Sequence, residues 1–379
     1  MIYLSEQLSA RPDALWELVK QCGVNYTVSL LQGAEQEQRM FAAVGNGKRE
    51  SGLHDEIVPW SFEGIERDKK CFAAHGIQLI GIEDTAPMDL IRLGLPGRDE
   101  EIAHVIEQIQ AMGKLGIQTL CYNWMAVSSW ARTRTDVVSR GGALVTAFKS
   151  SDTEKMSRIA EPGEYTHKQL WSALKYFLNA VIPVAEAANV RLGMHPDDPP
   201  LQDMRGMPRI MNSIENFRKL LDLYPSRSNG ITLCQGNFAL MTNDLPNVIR
   251  EFGSRDAIVF VHFRDVVGTV TDFEEAFHDA GQNDLPTCIA AYKEIEFDGP
   301  MRPDHVPTMY GESNARPAYE TLGRLFALGY IRGLIHSVYG KLPFSDHSIK
   351  KVEPLKATGS HPLFVTPPGS KIFDANAGS

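Results

Sequence analysis

Eight times along the chain, a short run of apolar, β-favouring residues is followed by a longer segment whose apolar positions recur every three or four residues. The short runs are Ile2–Leu4, Asn25–Leu31, Ile77–Ile82, Gln118–Tyr122, Val190–Met194, Gly230–Cys234, Ala257–His262 and Gly299–Arg302. The helical segments are Pro12–Gln21, Phe62–Ala74, Asp99–Leu115, Lys168–Ala188, a stretch from Asn212 to Leu223, Asn243–Phe252, Leu285–Ile295 and Arg316–Ile335. Strict alternation requires parallel strands, because each crossover is long enough to hold a helix. Eight such units in 379 residues predict an α/β fold, a single (β/α)8 TIM barrel with long βα loops. An open doubly wound sheet is the alternative, but no glycine-rich phosphate loop follows an early strand. The barrel is expected over residues 1–349, and residues 350–379, with four prolines and few periodic apolar positions, read as an extended C-terminal tail. Two local expectations follow: Asn212 caps its helix with Glu215 as reciprocal partner, and Pro183 kinks the helix it interrupts.

Composition narrows the function. Apolar residues make up 43% of the chain, enough for a large core. A net charge of −9 disfavours a nucleic-acid binder, which needs a basic face, yet permits a locally positive pocket for a small anion. Five scattered cysteines, odd in number and without a C-x-x-C pair, argue against a disulfide framework and for a reducing compartment. The N-terminus lacks the pattern of a signal peptide, and no apolar run is long enough to span a bilayer. The expectation is a cytoplasmic protein whose partners are a small molecule and further copies of itself, a homo-oligomer, with no nucleic acid and no membrane.

Chemistry gathers at the downstream ends of four successive strands. His195 opens His-Pro-Asp-Asp-Pro-Pro, Cys234 opens Cys-Gln-Gly-Asn, His262 lies in Val-His-Phe-Arg-Asp, and Asp304 lies in Arg-Pro-Asp-His. Taken singly, each has an ordinary reading: a structural histidine, a small buried thiol, a carboxylate that caps a turn. In a closed barrel, however, these ends are neighbours on the rim where active sites sit. Two imidazoles, a thiolate and a carboxylate suit a divalent first-row metal. His305, beside Asp304, has the side chain for acid–base work, or else orients its neighbour.

These four segments, together with Leu93-Gly-Leu-Pro, Cys121-Tyr-Asn-Trp-Met and Arg134-Thr-Asp, resemble the signature segments of the mannonate dehydratase family, in order from about Gly23 to Gly333. The resemblance implies a xylose-isomerase-like barrel that binds Mn2+ or Fe2+. It implies a hydro-lyase of carbohydrate metabolism that dehydrates D-mannonate to 2-keto-3-deoxy-D-gluconate by alpha-proton abstraction and beta-hydroxyl loss. Matched position by position, it implies His195, Cys234, His262 and Asp304 as metal ligands. Tyr319 matches a family tyrosine at the start of the last helix, which makes it the acid–base partner of His305, with helix packing as the alternative. Arg264, Arg302 and Asn123 are candidate substrate-binding residues, with Asp265 beside them on the rim. Salt bridges bracing the strand ends are the competing reading. His278 is a lid or substrate contact, or a solvated loop histidine. The chain departs from the family pattern at Asp265, in Trp130–Asp136 and in Val306–Glu312, all in substrate-facing loops. An isomerase or epimerase on the same metal-dependent barrel is the alternative reading, followed by a non-catalytic sugar-acid binder and, more remotely, a hydrolytic metalloenzyme.

Overall fold

A computed structural model describes residues 1–32 and 57–340. Within them, eight parallel strands close into a barrel in chain order: Ile2–Gln7, Tyr26–Ser29, Gln78–Ile82, Thr119–Asn123, Arg191–His195, Asn229–Cys234, Ile258–Phe263 and Gly299–Pro303. The last strand closes on the first, with Ile2 opposite Gly299 and Leu4 opposite Met301. All eight coincide with the runs read from the sequence. The proposed tail at 350–379 and most of the polar loop after the second strand lie outside the described residues.

Strand periodicity of two sorts the side chains. In Ile258–Phe263, beyond the register shift that follows Ile258, Val261 and Phe263 join the large core shared with the helices, whereas Phe260 joins Val28 and Cys121 in a separate cluster. His262, two residues after Phe260, meets it edge to face at 4.7 Å. In the preceding strand Ile231 and Leu233 pack outward, which leaves Thr232 and Cys234 on the other face. Leu192 and Met194 likewise join the outer core and leave His195 with the inner set. The same parity that fills the core thus delivers the polar residues to the mouth of the barrel.

The helices begin where short polar side chains can satisfy exposed backbone N–H groups. Asp13, Ser61, Thr166, Ser213, Asp244 and Asp284 each accept a hydrogen bond from a backbone N–H two or three residues ahead. Ser213, rather than Asn212, is the cap of Ile214–Leu223. The Asn212 amide instead donates to the carbonyls of Leu201 and Arg209, and Glu215 pairs with Arg218 at the surface. His167–Ala188 runs as one helix through Pro183. The last helix starts at Thr321, not Arg316, so Tyr319 belongs to the loop leading into it, next to Ala318 at φ 70°.

One element is absent from the sequence reading. Arg134–Val138 and Leu144–Lys149, from the loop after the fourth barrel strand, pair with Val266–Thr269 and Asp272–Glu275, from the loop after the seventh. The result is an antiparallel four-stranded sheet with its own apolar cluster of Phe148, Met204, Ala239, Val266 and Phe273. No helix among the described residues is long and apolar enough to cross a membrane, and all five cysteines are unpaired.

Outside the barrel, Phe217, Phe238 and Phe252 form a contiguous aromatic group, with ring centroids 4.9 to 6.4 Å apart. Phe252 is fully buried, so Phe252→Ala is expected to cost about 3–5 kcal/mol. A lower midpoint in denaturant unfolding at unchanged slope is the measurement.

Candidate metal centre and active site

Four strand ends converge at the mouth of the barrel. The Nδ1 of His195 lies 2.7 Å from the Pro196 carbonyl and donates to it, which turns the Nε2 lone pair inward. That Nε2 is 3.2 Å from Nδ1 of His262. Oδ2 of Asp304 lies 3.6 Å from the same His262 nitrogen and 3.9 Å from the sulfur of Cys234. One donor atom from each of His195, Cys234 and His262 lies within 4.8 Å of the others. Electron-rich atoms this close need a proton or a cation between them, and the donor set is that of a first-row divalent metal.

Electrostatics sets the charge of two of these groups, His195 and Asp304. Burial lowers the pKa of His195 and outweighs the pull of Glu83, Asp198 and Asp304, so the ring is held neutral. Burial pushes the Asp304 carboxyl up, but His305, Arg302, His262 and Arg264 together bring it well below the usual carboxylate range. A second group, Glu83, Cys121 and His262, also brings three donor atoms together. Both oxygens of Glu83 are engaged there by Arg302, at 2.7 and 2.9 Å. Burial pushes Glu83 up as well, but Arg302 and His262 outweigh it and bring the carboxyl down to about 2.

Behind these four side chains lies a buried charge network. Arg264 is wholly buried: Nε donates to the Cys234 sulfur at 3.2 Å, Nη1 to Glu275 at 2.6 Å, and Nη2 to Asp198 and Asn237 at 2.9 Å each. Arg132 forks onto Asp198 at 2.6 and 3.2 Å and also binds Glu275. Gly236 makes room for this arrangement, since a Cβ there would stand 2.9 Å from the Arg264 guanidinium carbon. Glu275 Oε1 lies 2.9 Å from Nδ1 of His305, whose backbone adopts φ 37°. Glu275 ends one strand of the loop-built sheet, and Arg132 lies two residues before another, so that sheet carries the groups that hold His305. Removing one member of such a buried set typically costs about 3–5 kcal/mol, because its partner is left uncompensated.

A cavity of about 140 Å³ opens over the cluster, lined among others by Asn123, Trp130, His195, His262, Arg302, Asp304, His305 and Tyr319. The Tyr319 hydroxyl donates to Asp304 Oδ1 at 3.2 Å, and its ring meets His305 edge to face at 5.5 Å. Burial and the Asp304 charge raise its pKa well above the usual value, so the phenol is held protonated. Trp130 packs 4.7 Å from the His305 ring and also borders a neighbouring cavity of about 900 Å³.

The D-mannonate dehydratase (UxuA) family model matches residues 51–162 and 152–342. Mannonate dehydratase 2 of Halalkalibacterium halodurans is 33% identical over 316 residues, covering 76% of this chain and 91% of that protein. The chain belongs to the D-mannonate dehydratase family. A mannonate dehydratase of Streptococcus agalactiae serotype V is 33% identical over 305 residues, 74% of this chain and 87% of that one. The crystal structure of mannonate dehydratase from Streptococcus suis serotype 2 superposes with a TM-score of 0.78 at 27% identity, over 90% of this chain and 97% of that chain. A D-allulose 3-epimerase from Methylomonas sp. superposes with a TM-score of 0.53 at 12% identity, over 89% and 97% of the two chains. That likeness is one of fold.

In this dehydratase the candidates separate into two sets. Arg302 and Asn123 line the cavity, although Arg302 already holds Glu83 and Asp304, and Asn123 accepts the Met125 N–H. Arg264 does not reach the cavity; its donors are spent on Cys234, Glu275, Asp198 and Asn237, so its place is the bracing network. Asp265 pins the loop that follows it through Val266 and Asn283. His278 is neither solvated nor on the cavity wall but fully buried. Sequence reasoning passed over Glu83, Arg132 and Glu275. Glu83 carried the same signal as the four ligand candidates, since it follows the end of its barrel strand at Ile82.

Burial lowers the pKa of His278 to about 4, only partly offset by the Phe263 backbone, Asp304 and Glu275. The folded protein therefore keeps this ring neutral at a pH where the unfolded chain takes up a proton. Its contribution is complete above the unfolded value near 6.5 and is lost as pH falls toward about 4. Relative to wild type, His278→Asn is expected to recover about 2 kcal/mol of stability between pH 7 and pH 5. Denaturant melts of both proteins at the two pH values test this.

Proposed function

We propose that this enzyme dehydrates D-mannonate to 2-keto-3-deoxy-D-gluconate and water, with a divalent cation, Mn2+ or Fe2+, held by His195, Cys234, His262 and Asp304. The observation that carries this reading is the convergence of those four side chains in a chain of this family. The local charge agrees. Arg132, Arg264 and Arg302 face the carboxylates of Asp198, Glu275, Glu83 and Asp304, and Arg264 Nε donates to the Cys234 sulfur. Four carboxylates against three guanidinium groups leave one negative charge, and Cys234 would add a second on binding a divalent cation, which neutralises both. When bound, the cation supplies a Lewis acid for the substrate carboxylate, where negative charge builds as the alpha proton leaves.

The chain's own groups then divide the proton work. Glu275 Oε1 and Arg132 Nη2 both lie 2.9 Å from His305 Nδ1; because Arg132 has its other acceptors in Asp198 and Glu275, we assign the Nδ1 proton to Glu275, which leaves Nε2 as the base that takes the C2 proton. Tyr319, kept protonated at the cavity wall, gives its proton to the departing C3 hydroxyl, which leaves as water. The C2–H and C3–O bonds break, a C2–C3 double bond forms, and the product is an enol. Return of the His305 proton to C3, with passage of the enol proton to Tyr319, yields the 2-keto-3-deoxy acid and resets both residues. Trp130, packed against His305, restricts water on that side.

Chelator-treated protein is expected to lose turnover of D-mannonate and to regain it with Mn2+ or Fe2+; activity that survives full metal removal contradicts the reading. A 2-keto-3-deoxy acid should accumulate, whereas a stereoisomer formed without water loss would indicate an epimerase. Tyr319→Phe should lower kcat by about 10²–10⁴-fold with one equivalent of metal retained, measured by steady-state kinetics and elemental analysis on the same sample.

A further inference from the structure

Glu83 stands between two of the four ligands assigned above. Its Oε1 lies 3.1 Å from Nε2 of His262, the ring nitrogen turned away from His195 and Asp304. That nitrogen is buried without an aligned hydrogen-bond partner, and the Glu83 oxygen at ion-pair distance is the group that faces it. Both Glu83 oxygens also receive Arg302, whose Nη1 continues to Oδ1 of Asp304 at 3.0 Å. The root of Glu83 is fixed by the barrel, its backbone N–H donating to the Ser29 carbonyl. One anion therefore bears on a ring and, through a planar fork, on a carboxylate that both face the same point.

This geometry admits two readings. Glu83, Cys121 and His262 could take a second cation, or Glu83 could act on the first centre through its neighbours. Arg302 decides between them. A cation bound to Glu83 would lie against a guanidinium that already occupies both oxygens. The Cys121 sulfur already accepts a hydrogen bond from the Thr232 hydroxyl at 3.2 Å.

We propose that Glu83 is a positioning residue of the metal centre: it holds His262 as the Nε2–H tautomer, so that the Nδ1 lone pair faces His195, Cys234 and Asp304, and through Arg302 it aims Asp304 at the same place. The proposal rests on the metal reading given above. An outer carboxylate on a metal-bound imidazole fixes the ring and raises its basicity, and its loss typically costs 10–100-fold in affinity. Glu83→Gln keeps the shape and removes the charge on which both ligands depend.

The test is titration of chelator-stripped, full-length protein with Mn2+, with free Mn2+ followed by electron paramagnetic resonance. Wild type is expected to bind one ion, and folded Glu83→Gln to bind it about 10–100-fold more weakly, with Glu83→Asp in between. A brace with only a structural role would lower the melting temperature and leave the affinity of the folded apoprotein unchanged; that result overturns the proposal. So does a second Mn2+ in wild type that Glu83→Gln abolishes. Failure of wild type to bind any Mn2+ would instead remove the metal reading itself. If Glu83→Gln does not fold, nitrogen NMR of Zn2+-loaded, 15N-histidine wild type decides, with His262 assigned by its Gln variant. Nδ1 on the metal and a proton on Nε2 support the proposal, and the reverse arrangement refutes it.

Discussion

Three guanidinium groups are buried at one end of the barrel, and the rest of the site depends on how they are compensated. Arg132, Arg264 and Arg302 are almost completely removed from water. A buried charge is tolerated only when it is paired and its donors are satisfied, and here the partners come from strand ends and loops far apart in sequence. Arg264 alone gathers Cys234, Asn237, Asp198 and Glu275. Each strand end is therefore located by charge as well as by backbone pairing. The two constraints agree because barrel closure brings the ends together in the first place.

The loop-built sheet extends this logic. Arg132 and Glu275 have no place in the barrel itself; they arrive on segments paired across two different loops. Their partners Asp198 and Arg264 lie just beyond the ends of barrel strands. His305, which follows the last strand, is where the two systems meet. Epimerases with the same barrel at 12–13% identity show that the scaffold alone does not choose the reaction. In this chain, the groups that hold His305 come partly from the added sheet.

The barrel was legible because its evidence is local and periodic: each strand is a compact apolar run, and each helix carries its own stripe. The ligand candidates were legible for a related reason, since parity and position at a strand end are sequence properties. Glu83 obeyed the same rule, but a carboxylate after a strand reads as an ordinary turn residue until Arg302 and His262 are seen around it. The accessory strands left no such trace. They are four to six residues long, and the pairing of Asp272–Glu275 with Leu144–Lys149 spans more than a hundred residues. Errors at helix starts have a similar origin. Asn212 and Ser213 are both good caps, and the choice is made by the Leu201 and Arg209 carbonyls, which claim the Asn212 amide.

The arginines also bear on how an acidic chain accepts an acidic sugar. Arg264 and Arg302 read from the sequence either as substrate-binding residues or as salt bridges bracing the strand ends, and both are committed to the protein's own anions. Arg92, which also lines the cavity, is paired with Asp89. The pocket wall therefore carries no surplus of positive charge, and the groups nearest the ligands sum to a negative value. Without a cation, such a site would repel the carboxylate it is proposed to bind; with a divalent ion, the site becomes neutral and gains the one centre to which a carboxylate can attach. On this account the metal is required for substrate binding before any bond is broken. The arginines serve by fixing the anions proposed to hold the metal.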